Sequence, residues 1–260
     1  MFPIRDDNPN FLTPYATYAI IAINAAVWLL VQGLGSAQPL AASICNLGLI
    51  PGELLQIVPA GTQVPVGGGF ACVLGDHPSW YTPLTSMFMH GGWLHIVGNM
   101  WFLFVFGDNV EDAMGTVRFV LFYLLCGLAA ATVQVMAEPG SPVPMVGASG
   151  AIGGVMGAYI VLYPRVHVHM LIFLGFFVTT VAVPAVFMLG YWLLIQLISG
   201  IGSYGSQQGG VAFWAHVGGF AAGAALVFGF RNPALLARHP YHGWNRPSSP
   251  QQRWRRIDRW

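Results

Sequence analysis

Four polar residues stand in stretches otherwise built from apolar ones, and their types suit acyl-transfer chemistry: Ser149, His216, His95 and Asn99. Ser149 occurs in V-G-A-S-G-A-I-G-G (146–154). A serine inside an apolar helix ordinarily bonds a carbonyl one turn back. Here Gly147 and Gly150 flank it, so the backbone can turn sharply and another helix can come close. The preceding S-P-V-P-M-V-G loop puts Ser149 in the first turn of its helix. Backbone N–H groups are unsatisfied there and the helix dipole favours negative charge. A serine nucleophile needs that environment when the carbonyl it attacks becomes an oxyanion.

His216, in F-W-A-H-V-G-G-F-A-A-G (213–223), is the natural base. A lone histidine in an apolar helix also serves as a haem ligand, a proton relay or a packed core residue. Its neighbours favour the role of base: Gly219 and Gly223 form a G-x-x-x-G face, and Gly150, Gly153, Gly154 and Gly157 offer a matching one. Two such helices in contact bring Ser149 within hydrogen-bond reach of His216. Neither helix carries an acidic residue, so the expected device is a Ser–His dyad rather than a triad. Packing must then orient the imidazole. His95 and Asn99 are four residues apart and share a helix face. Both donate hydrogen bonds, and with the Ser149 backbone N–H they can hold an oxyanion; their bland role is an interhelical contact that fixes packing. His90, on the loop side of Gly91 and Gly92, reads as structural, capping the helix or holding the loop.

The elements that must position these residues are set by composition. The chain has 260 residues, 55% hydrophobic and only 7% charged. Soluble domains carry about 25% charged residues, so the solvent for much of this surface is lipid. Crossing ~30 Å of hydrocarbon takes about 20 apolar residues, and six runs qualify: 15–34, 93–111, 115–137, 147–163, 179–200 and 211–230. The fourth is short and glycine-rich, as suits a helix packed inside others. The stretch 165–180, interrupted by His167 and His169, reads as a membrane-surface loop, with both histidines too far from Ser149 to share its site. Asp6, Asp7 and three prolines precede the first run, which therefore reads as a retained helix rather than a cleavable signal.

All ten basic residues are arginines, and with six spans they fall on the side of the termini. The opposite loops, 35–92, 138–146 and 201–210, contain none. The positive-inside rule then makes the termini cytoplasmic, and the four polar residues gather near the outer ends of their helices. The expected organisation is a cytoplasmic segment (1–14), a six-helix unit (15–230) and an Arg-rich cytoplasmic tail (231–260) resting on anionic headgroups. Cys45 and Cys72 share the long outer loop: a disulfide if it faces an oxidising compartment, two thiols otherwise. G-D-N-V-E-D (107–112) reads as solvated or capping, with Glu111 as a candidate for bonds inside the bundle; Trp93, Tyr191 and Trp192 read as an interfacial aromatic belt.

In H-G-G-W-L-H-I-V-G-N-M (90–100), G-A-S-G (147–150) and A-H-V-G-G-F-A-A-G (215–223) the chain resembles the rhomboid family of intramembrane serine proteases. Each motif is weak alone; their order, spacing and placement in successive helices are specific. The resemblance spans about 80–233. It implies an all-α membrane protein, a six-transmembrane-helix bundle with a long first outer loop, in a bacterial inner membrane. It implies Ser149 as nucleophile, His216 as general base, His95 and Asn99 as oxyanion donors, and a cavity open to the outer side. Substrates would be single-pass membrane proteins cut in or near the span, with no metal, organic cofactor or nucleic acid involved. Two positions depart from patterns seen in the family. Trp80-Tyr81 stands where some members have Trp-Arg, and Gly153 where some have an aromatic that stacks on the histidine. Two other classes compete: a non-catalytic binder of membrane helices, which a fluorophosphonate would not label, and a transporter or haem protein, for which His95 and His216 would serve one haem at most.

Overall fold

The computed structural model describes residues 2–174, 177–203, 210–239 and 241. The chain runs β1 (Phe2–Asp6), α1 (Tyr15–Leu30), α2 (Ala37–Leu47), α3 (Pro51–Leu54), β2 (Gln63–Gly67), β3 (Phe70–Val73), α4 (Thr82–Thr85), α5 (Trp93–Met114) and α6 (Thr116–Ala137). It continues through α7 (Ser149–Leu162), β4 (His167–Leu174), β5 (Phe177–Pro184), α8 (Ala185–Gly202), α9 (Phe213–Phe230) and α10 (Pro233–Leu236). Helices dominate. By length and composition α6, α8 and α9 are long and apolar enough to cross a membrane, while α1 and α7 are shorter apolar helices.

Helix α7 is the centre of the molecule. Every residue from Gly150 to Tyr159 is buried, because small residues let neighbouring helices approach on all sides. A Cβ on Gly223 of α9 would lie 1.9 Å from the Gly154 carbonyl oxygen, so the two backbones touch. Around this contact pack Leu103, Phe106, Phe119, Phe122 and Tyr123 from α5 and α6, all essentially inaccessible.

The strands correct the all-α expectation. His167–Leu174 and Phe177–Pro184 are not a surface loop but paired antiparallel strands, joined on the β4 edge by β1 in the order β1-β4-β5. The reason is legible in V-H-V-H-M (166–170): Val166, Val168 and Met170 are buried while His167 and His169 are partly exposed, a period of two that fits a strand. His169 Nε2 meets the Asp7 carboxylate at 2.8 Å. Because β5 occupies 177–184, helix α8 begins at Ala185 and not at 179.

The acidic residues at the end of α5 are not merely solvated. Glu111 accepts the Ala16 and Thr17 N–H groups and the Thr17 and Thr116 hydroxyls, at 2.8–2.9 Å, capping the otherwise open N-terminus of α1. Asp112 accepts from the Phe11 and Leu12 N–H groups. Asn109 Nδ2 donates to the Asn8 carbonyl. The start of the tail is packed too: Asn232 N–H donates to the Ala113 carbonyl and Leu236 is buried. Residues 242–260, with most of the tail's arginines, lie outside the described residues.

Asp6 ends β1 against Tyr159, whose hydroxyl donates to its carboxylate. Burial pushes the Asp6 carboxyl up to about 7. A carboxyl raised in the folded state contributes stability below its unfolded value of 3.8 and loses it as pH rises through about 7. Thermal unfolding in detergent is therefore expected to shift down by a few degrees between pH 4 and 7, and Asp6→Asn is expected to flatten that slope. An unchanged slope in the variant would mean another group carries it.

The long loop before α5 holds the Cys45–Cys72 disulfide, which ties α2 to β3. The Tyr81 hydroxyl donates to the Asn46 carbonyl at 3.2 Å and the Thr85 hydroxyl to the Leu47 carbonyl at 2.8 Å. Leu49 and Met145 exchange backbone hydrogen bonds at 2.9 and 2.7 Å. The disulfide-tied loop is thus fastened both to the segment entering α5 and to the segment entering α7.

Candidate active site

Ser149 is the first residue of α7. The entry to this helix is set by Gly147, at φ +131°, a conformation that L side chains rarely adopt. The Gly147 N–H is held by the Ser86 carbonyl at 2.9 Å. This fixed turn leaves the Ser149 hydroxyl pointing across the α7–α9 contact, where its Oγ lies 2.8 Å from His216 Nε2.

His216 sits in the first turn of α9, and the Ala215 N–H beside it donates to Gln134 Oε1 of α6 at 3.1 Å. Gly153 faces the His216 backbone so closely that a Cβ there would be 3.0 Å from the His216 carbonyl oxygen. A side chain at 153 would require the facing backbones to give by a few tenths of an ångström. The aromatic contact comes from α8: the Trp192 ring lies 5.7 Å from the His216 ring. Trp192, read from sequence as an interfacial aromatic, is thus a neighbour of the site. One turn further along α8, Gln196 Oε1 is 2.7 Å from His216 Nδ1. Gln196 was not singled out from sequence, and Trp192 was read there only as an interfacial aromatic. Gln196 carried a usable signal, an amide within the apolar run L-L-I-Q-L-I, the same criterion that exposed Asn99.

His95 and Asn99 lie on α5 and both face a cavity of about 510 Å³ that also contains Ser149 and His216. His95 Nδ1 accepts the Gly91 N–H at 3.1 Å, so in the neutral ring the proton is on Nε2. That nitrogen is packed against Gly147, where a Cβ would be only 2.7 Å away. The Asn99 side-chain nitrogen is buried and has no partner among the described residues. Two donors therefore border the space beside Ser149 Oγ. His90 does not cap α5, whose N-cap is Gly92. Its backbone is clamped by the Gln32 amide at 2.8 and 2.9 Å, and its ring packs edge-on against His95 at 5.2 Å. Burial, and then the nearby His95, push the His90 ring down to about 3, so it stays neutral.

Of the residues anticipated from sequence, Ser149, His216, His95, Asn99, Gly147 and Gly150 all border the cavity. Gly219 and Gly223 lie in the helix contact behind it, each with a virtual Cβ 1.9 Å from an α7 carbonyl oxygen. His167 and His169 lie in the hairpin. Among the described residues no group of three or more His, Cys, Asp or Glu is arranged to hold a metal.

The rhomboid domain family matches residues 77–233, a span that includes Ser149, His216, His95, Asn99 and Gln196. The chain belongs to the rhomboid family. It is 33% identical over 174 residues to rhomboid protease GluP of Bacillus subtilis, covering 65% of this chain and 33% of that protein. It is 39% identical over 79 residues to the chloroplastic rhomboid-like protein 11 of Arabidopsis thaliana, covering 30% of this chain and 28% of that one. It is 30% identical over 161 residues to RHOMBOID-like protein 4 of Arabidopsis thaliana, covering 62% of this chain and 35% of that one. The matches thus span about a third of the length of these curated relatives. As a rhomboid, this chain has a closely packed α7–α9 pair with an aromatic on α8, rather than on α7, beside the histidine.

Proposed function

We propose that this protein is an intramembrane serine endopeptidase. The observation that carries the reading is the 2.8 Å contact between Ser149 Oγ and His216 Nε2 at the floor of a cavity inside an apolar helical bundle. Ser149 attacks the scissile carbonyl while His216 takes its proton at Nε2 and later returns it to the leaving amine. His95 Nε2–H, the Asn99 amide and the Ser149 backbone N–H donate to the oxyanion of the tetrahedral intermediate. The first-turn N–H groups of α7 add a favourable dipole for that charge.

In this reading α1, α5, α6, α7, α8 and α9 are the six spans, residues 15–230 form the protease unit, and 1–14 and 231–260 lie on the cytoplasmic side of a bacterial inner membrane. The ten-to-none arginine distribution supports that orientation, and the cavity then opens outward. The substrates are single-pass membrane proteins, cut where the chain unwinds, because a peptide bond inside an intact helix is shielded. The chemistry calls on no cofactor or metal.

A fluorophosphonate probe tests the reading. The detergent-purified protein is expected to be labelled on Ser149 alone, and labelling is expected to disappear in His216→Ala, where nothing takes the proton. Absence of labelling in folded wild-type protein would favour a non-catalytic binder of membrane helices.

A further inference from the structure

Helix α8 exposes most of its length: Val186, Phe187, Tyr191, Leu194, Ile195, Ile198 and Ile201 all face outward. Its buried residues are Ala185, Met188, Leu189, Gln196 and Gly200. Gln196 is the one among them with a polar side chain, and its Oε1 lies 2.7 Å from His216 Nδ1. An amide in an apolar span is expensive unless it has a partner, and this partner is the ring nitrogen opposite the one that meets Ser149.

We infer that Gln196 is a positioning residue for the proposed base, holding His216 in the tautomer that can take a proton from Ser149. The inference rests on the protease reading and deepens it. A neutral imidazole carries one proton, and which nitrogen bears it is set by the hydrogen bond the other makes. A carbonyl oxygen accepts only. With Gln196 Oε1 against Nδ1, the proton sits on Nδ1 and the lone pair on Nε2 faces the Ser149 hydroxyl. The opposite tautomer would present an N–H to Ser149 and leave two acceptors facing each other at Nδ1. When His216 becomes imidazolium during attack, Nδ1–H donates to the same oxygen more strongly. Gln196 thus takes the place a carboxylate holds in a triad, without a buried charge. It also makes the base conditional on α8 being seated, because Gln196 and the Trp192 ring reach His216 from this one lightly packed helix.

The test uses the full chain in lipid nanodiscs with a single-pass transmembrane model substrate and a fluorophosphonate. Gln196→Met keeps the volume and removes the acceptor; Gln196→Glu keeps an acceptor that cannot rotate into a donor. Gln196→Met is expected to lower kcat roughly 10²-fold, the scale of general-base catalysis, with KM unchanged and the labelling rate reduced in parallel. Gln196→Glu is expected to recover most of that loss. Wild-type protein labelled with 15N-histidine is expected to show His216 protonated at Nδ1, and Gln196→Met a mixture. Full kcat in Gln196→Met, equal impairment of both variants, or a wild-type His216 protonated at Nε2 would each overturn the inference. Ser149→Ala in the same assay separates the levels: if it is inert, such results overturn only the role of Gln196, whereas cleavage by Ser149→Ala overturns the protease reading as well.

Discussion

Ser149→Ala is expected to reduce cleavage of a transmembrane model substrate roughly 10⁴-fold or more, to the background of the assay. Among the described residues the cavity holds one other hydroxyl, Ser86, which bonds the Pro83 carbonyl and has no imidazole partner there. The proposed oxyanion donors remain in the variant, but they would act on an intermediate that no longer forms. Because Ser149 Oγ bonds only His216 among the described residues, its loss leaves the α7–α9 contact intact, and the thermal midpoint is expected to stay near that of the wild type. His216→Ala should be about as inactive, and Ser149→Ala combined with His216→Ala no worse than either, since residues that act as a unit lose their effect together. Steady-state cleavage in nanodiscs, with thermal unfolding as the folding control, measures all three. Undiminished cleavage by Ser149→Ala would end the serine-protease reading.

Gly223→Ala is expected to inactivate by a different route. The added methyl would sit 1.9 Å from the Gly154 carbonyl oxygen and 2.5 Å from its Cα. Both are backbone atoms of buried helices, so neither can rotate away, and α7 and α9 must separate. Overpacking of this kind costs about 1–3 kcal/mol or more, which unfolding in denaturant or heat would register. Catalysis is expected to suffer beyond the stability loss. The Ser149–His216 contact spans the same interface at 2.8 Å, and a displacement near 1 Å costs roughly 10²-fold. Gly190→Ala on α8 is the matched control. Nothing lies within 4 Å of a Cβ there, and alanine is the better helix former, so activity and stability are expected to hold. Equal behaviour of the two variants would mean that close backbone approach is not what the glycines of α7 and α9 provide.

Much of this was legible in the sequence because a membrane span makes polar residues conspicuous. Ser149, His216, His95 and Asn99 stood out because each is costly where it is, and glycine spacing announced which helices would meet. The periodicity of V-H-V-H-M was equally readable as a strand, but the apolar run around it resembled the start of a span, so the hairpin was hidden by its neighbours. The Cys45–Cys72 pairing could not be resolved from spacing, since two cysteines in one loop are compatible with either state.

What the amino-acid order determined by itself was local: the helix-forming runs, the first-turn position of Ser149, the shared face of His95 and Asn99, and the small-residue faces that permit contact. These depend on near neighbours and on helical period. The tertiary structure decided the rest. It set which ring nitrogen of His216 meets Ser149, that Gln196 and Trp192 of α8 reach that ring, and that Gly153 lies tightly against the His216 backbone. Those relations join residues 20 to 67 positions apart, and hydrogen-bond direction at a ring depends on the packing of whole helices against one another. A serine and a histidine in apolar helices were visible from the chain alone; how the histidine is held toward the serine was not.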